Sequence, residues 1–151
     1  MNAKSWLRAG LLALAATQGA IGVWQYFFTR AFYDDFPTVS LDPPYSKHFL
    51  SDVGGLTLAL AVVVAYAAVY LEYRLVCGAL LGFIVFAVSH AAYHVTHLAR
   101  FGQGDAIALV TLLVTDAAIP AALLILARLA LPDPGVMSHS RRTVSSSGKK
   151  Q

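Results

Sequence analysis

Apolar residues in this chain fall in four long blocks, at about 7–28, 53–71, 75–97 and 106–131, separated by short polar stretches. About 20 predominantly apolar residues carry a helix across the hydrocarbon core of a bilayer, so each block is long enough for one transmembrane helix. The connections are unequal: the first runs from about 29 to 52, the second is little more than Glu72, Tyr73 and Arg74, and the third covers about 98–105. Short links force the second, third and fourth helices to run antiparallel. The pattern predicts an all-α fold, a four-transmembrane-helix antiparallel bundle over residues 1–131. From 132 to 151 the character changes. Pro132, Pro134 and Gly135 stop the fourth helix, and a Ser-rich stretch with Arg141, Arg142, Lys149 and Lys150 has nothing to bury. A disordered basic tail is expected there.

Composition sharpens this picture. Of 151 residues, 58% are hydrophobic and 13% charged, and the mean hydropathy is +0.63. A soluble domain has roughly 45–50% apolar and 25% charged residues, and one soluble core could not hide four such blocks. Soluble enzymes, disordered regulators and nucleic-acid modules are excluded, despite a pI of 9.2. The single cysteine, Cys77, rules out an intrachain disulfide framework and a multi-cysteine zinc site. It lies in an apolar block and reads as a small hydrophobe.

Lysine and arginine set the orientation. With four spans, the N-terminus, the second connection and the tail share one side, which holds Lys4, Arg8, Arg74, Arg128, Arg141, Arg142, Lys149 and Lys150 of the 11 basic residues. The other side holds Arg30, Lys47 and Arg100, together with Asp34, Asp35, Asp42, Asp52 and Asp105. Both termini are therefore expected in the cytoplasm, in a protein of the cell membrane. Lys4 and Arg8 before Ala13-Leu14-Ala15 also suit a cleaved signal peptide. The apolar run continues to Phe28, however, and a retained first span fits better. The basic tail could adhere to anionic lipid or merely set topology, and its sparse charge favours the second role.

An ionisable residue inside hydrocarbon is a candidate for function. The third block carries His90, His94 and His97, which project from one helical face within a sector of about 60°. Spacings of three and four residues let one helix offer two imidazoles to a metal ion. Asp116, in the fourth block, lies at a depth comparable with His90. His48 and Asp52 form another i, i+4 pair, on one face of the second span if that helix starts before Ser46. Asp34 and Asp35 stand in the first connection, and Gln18 and Gln25 give the first span a small polar face. Convergence of several segments on one depth predicts a metal site drawn from His48, Asp52, His90, His94 and Asp116, with His97 as a weaker candidate at the interface. Asp34 or Asp35 would act as a base or as a hydrogen-bond partner to a ligand imidazole. The mixed imidazole and carboxylate set suits Zn, Fe, Cu or Mn. A metal-free proton relay or plain interhelical hydrogen bonding would use the same residues.

Other features read as structural. Gly78 with Gly82, and Ala15 with Gly19, suit close helix packing. Gly54-Gly55 suits close packing or the approach of a ligand. Pro120 should kink the fourth helix just after Asp116.

The runs FYDDFP, PYSKHFLSDVGGL and HAAYHVTHL, within residues 32–98, resemble small four-helix integral membrane proteins of actinobacteria that have no assigned function. The resemblance implies that Asp34, Asp35, His48, Asp52, His90, His94 and His97 belong to that family's pattern, and it supplies no activity. The bundle also resembles DoxX-like membrane proteins, by fold analogy alone. Three functions fit. The first is a metal-binding membrane protein, which could act on a lipophilic substrate entering from the outer leaflet. The second is a non-catalytic subunit of a larger membrane complex or a homo-oligomer, with its polar residues as glue. The third is a proton-coupled small carrier, which four spans would serve poorly without dimerisation.

Overall fold

Polar caps, rather than the edges of the apolar blocks, set where three of the four long helices begin. In the computed structural model, which describes residues 2–42 and 44–131, helix α1 (Ala3–Phe27) starts where the Asn2 side chain accepts a hydrogen bond from the Ser5 amide at 2.9 Å. Helix α2 (Thr29–Asp35) follows after a break at Phe28. Helix α3 (Lys47–Tyr70) is capped by Ser46, which accepts from the Phe49 amide at 3.3 Å. Helix α4 (Tyr73–Thr96) is capped by Glu72, which accepts from the Leu75 amide at 3.2 Å. Helix α5 (Gln103–Ala130) completes the set. Each cap satisfies an amide that the first helical turn would leave unpaired. Helix α3 thus begins ahead of the apolar block expected at about 53–71: Ser46 is the cap and Lys47 the first helical residue, so His48 and Asp52 both lie within the helix.

All the described elements are helical, and α1, α3, α4 and α5 are long and apolar enough to cross a membrane. The tail predicted over 132–151 lies outside the described residues. The principal neighbours of α1 are α3 and α5, and those of α4 are α5 and α3. Leu71 and Glu72 alone link α3 to α4, with Leu71 in the left-handed region at φ 49°.

One apolar core joins all four long helices at the end nearest the N-terminus. It includes Leu7, Leu11 and Leu14 from α1, Val64 and Ala67 from α3, Val76, Leu80 and Phe83 from α4, and Leu124 and Ala127 from α5. Many large apolar side chains face outward instead, among them Val62, Val85, Ile107 and Leu129. That is the pattern of a bundle solvated by lipid.

The glycines divide by role. A Cβ on Gly54 would lie 2.8 Å from the Tyr26 backbone nitrogen, and one on Gly22 would lie 3.0 Å from that of Leu58. These two positions let α1 and α3 approach backbone to backbone. Gly78 and Gly82 behave differently from the close-packing expectation: nothing lies within 4 Å of a Cβ at either. They face away from the rest of the described residues. Pro120, fully buried in α5, cannot donate to the carbonyl of Asp116 four residues earlier.

Candidate functional site

The interior stripe of α4 is sealed through Phe83 and Ala87, and then changes chemistry. Its next two positions on the same face are His90, which is exposed, and His94, which is half-buried. The helices therefore do not close over this stripe toward the C-terminal end of α4. The His90 and His94 rings meet edge to face, with centroids 4.7 Å apart, and His90 also stacks on Phe86 at 5.9 Å. His94 Nδ1 is buried with no hydrogen-bond partner. His97 is engaged otherwise: its Nδ1 lies 2.7 Å from the Tyr93 carbonyl oxygen and 3.1 Å from the Thr96 hydroxyl.

The other predicted ligands form separate pairs. Asp116 accepts a hydrogen bond of 2.7 Å from the amide of Gln18 on α1, so its partner is the neighbouring span rather than an imidazole. The His48 and Asp52 side chains approach to 3.4 Å on α3, 90% and 65% exposed. Among the described residues, no three His, Cys, Asp or Glu side chains converge to hold a metal ion. Asp34 pairs with Arg30 at 2.7 Å. That hydrogen bond, followed by the carboxylate's charge, holds the guanidinium above its ordinary pKa, so Asp34 is an ion-pair partner here. Asp35 is exposed on α2.

The first connection is more structured than its polar sequence suggests. Trp24 packs edge-on against Phe32 and Phe36, at 5.5 and 6.0 Å, and folds α2 back against α1. The Thr29 and Tyr45 hydroxyls share a hydrogen bond of 3.0 Å, and Arg30 lies over the ring of Tyr45 at 5.2 Å. This scaffold places Asp42, which composition marks only as one more outer charge. Asp42 is the only charged residue among the described ones to be fully buried, at 5% exposure. One of its oxygens pairs with Arg100 in the third connection. Its other oxygen, Oδ2, is buried without a partner. Leaving a buried polar atom unpaired costs about 1–3 kcal/mol, and such atoms are rare enough to need an explanation.

No protein family, curated protein or solved structure matches the chain. A functional reading therefore rests on the chain's own residues. Asp42 and Arg100 are what sequence reasoning missed. A pair formed between two loops has no periodicity, and only the Asp-Pro-Pro run at residues 42–44 hinted at a constrained backbone.

Proposed function

We propose that the chain is a multi-pass protein of the cytoplasmic membrane, an antiparallel four-helix bundle with both termini in the cytoplasm, which binds a transition-metal ion through His90 and His94 at its outer end. One observation carries this reading. The two imidazoles stand side by side on an interior-facing stripe that is left open, and His94 keeps a buried Nδ1 with no partner. Imidazole pairs at i, i+4 are natural chelators for Zn, Cu or Fe. Asp116, engaged with Gln18, and the exposed His48–Asp52 pair stand outside this ligand set.

The test is elemental analysis of protein purified in mild detergent without added chelator. About one transition-metal ion per chain is expected, and it should be lost when His90 and His94 are both replaced by Ala. A metal-free wild-type protein, or a double variant with unchanged metal content, would end the proposal. A second reading, an accessory subunit with polar glue, draws on the Gln18–Asp116 bond and the Asp42–Arg100 pair. It requires a metal-free protein and a specific membrane partner that co-purifies with it.

A further inference from the structure

The end of the bundle away from the histidines has a groove of its own. A cavity of about 420 Å³ lies between the first turns of α1 and Leu71, where α3 gives way to α4. That volume is within the range of small-molecule sites. Its walls are graded: Asn2, Lys4, Ser5 and Arg8 stand toward the helix end, and Leu12, 48% exposed, lies one turn further in. No carboxylate lines it. Glu72, beside Leu71, accepts instead from the Leu75 amide as the cap of α4.

Two cations on one helical face, at the end of a span and without an anion, call for a partner. Arg8 stands about 7–8 Å inside the start of α1 at Ala3. Its Nε donates to the Ala68 carbonyl oxygen at 3.2 Å, which holds the guanidinium against the end of α3. Neither Lys4 nor Arg8 forms an ion pair among the described residues. Because α1 is long and apolar enough to cross a membrane, this groove stands at the headgroup level of one leaflet, whichever way the chain faces. Trp6, 60% exposed in the same turn, sits where interfacial tryptophans do.

We propose that this groove binds an anionic phospholipid, with Lys4 and Arg8 on its phosphate and its acyl chains running past Leu12. Arg8 offers its terminal amino groups for a bidentate contact, and Lys4 adds a point charge nearer the surface. A free phosphate would use the cations alone, whereas the exposed leucine beneath them suits only a lipid. The site is separate from the histidine pair and does not depend on the metal reading.

Native mass spectrometry of the full chain, delipidated in detergent and titrated with dioleoyl phosphatidylglycerol or phosphatidylcholine, tests this. The wild type should hold one phosphatidylglycerol about tenfold more tightly than phosphatidylcholine, since each basic residue near the surface contributes about fivefold. Lys4→Gln leaves the Arg8–Ala68 bond intact and should cost about fivefold. Lys4→Gln with Arg8→Gln should erase the preference, and Arg8→Lys should keep most of it. Arg141→Gln with Arg142→Gln should leave it within about twofold. Equal retention of both lipids by the wild type, or an unchanged preference in Lys4→Gln, would overturn the proposal. Loss of the preference in the tail variant would assign the lipid to the tail instead. Displacement of the lipid by millimolar inorganic phosphate would make this a free-phosphate site, and would equally overturn it.

Discussion

Asp116 and Gln18 join α5 to α1 through a single hydrogen bond of 2.7 Å. Hydrogen bonds between membrane helices are worth about 0.6 kcal/mol on average and about 1.7 at most, so this pair is a tie rather than a keystone. Asp116→Asn keeps an acceptor oxygen facing the amide and should leave the thermal midpoint in detergent nearly unchanged. Asp116→Ala removes the acceptor from a buried Gln18 and should cost about 0.5–2 kcal/mol. Equal losses in both variants would show that the carboxylate does more than accept that bond. At this scale the imidazole pair was legible in advance, because His90 and His94 follow from helical arithmetic alone. The partner of Asp116 was not. Depth along the membrane normal placed it level with His90, but depth carries no information about which neighbour a side chain turns to.

Spans were legible as elements because hydrocarbon demands a minimum apolar length. Their ends were not, because a capping side chain is polar and extends the helix past its apolar block, as Asn2 and Ser46 do. Helix α2 went unforeseen for a related reason: it spans 7 residues without a side-chain cap, and it is held by Phe32 packing on Trp24 rather than by its own sequence. Small-residue motifs were visible, but their partners were not. The Gly78–Gly82 and Gly54 positions look alike in sequence, yet only Gly54 meets another backbone. Gly54→Ala places a methyl group 2.8 Å from the Tyr26 nitrogen, which neither helix can relieve by a rotamer change. It should cost about 1–3 kcal/mol as α1 and α3 are forced apart. Gly78→Ala should be neutral or slightly stabilising, since it adds helix propensity and meets nothing among the described residues. Thermal unfolding of the two variants side by side checks this. Loss of stability in Gly78→Ala would reveal a contact beyond the described residues.

The whole molecule is asymmetric along its long axis. At the end bearing the N-terminus, apolar side chains of all four long helices interlock in one core. At the opposite end the interior stripe of α4 turns to histidine, and the two longer connections fasten to each other through Asp42 and Arg100. In the sequence, 8 of the 11 basic residues belong to the segments on the side of the termini, four of them beyond the described residues. The orientation proposed above puts the apolar core nearer the cytoplasm and the histidine end outside. A membrane-impermeant maleimide applied to intact cells, on a Cys77→Ser background, should label a cysteine at Ser40 in the first connection. A cysteine at Ser146 should react only after permeabilisation. Ser40 is exposed, and only its backbone carbonyl is engaged, by the Tyr33 hydroxyl, so the substitution should not disturb the fold. The reverse labelling pattern would turn the His90–His94 end toward the cytoplasm. Any metal there would then come from the cell's own tightly held pool rather than from outside. The two orientations thus predict opposite responses to an impermeant chelator, since only an outward site can be stripped in intact cells.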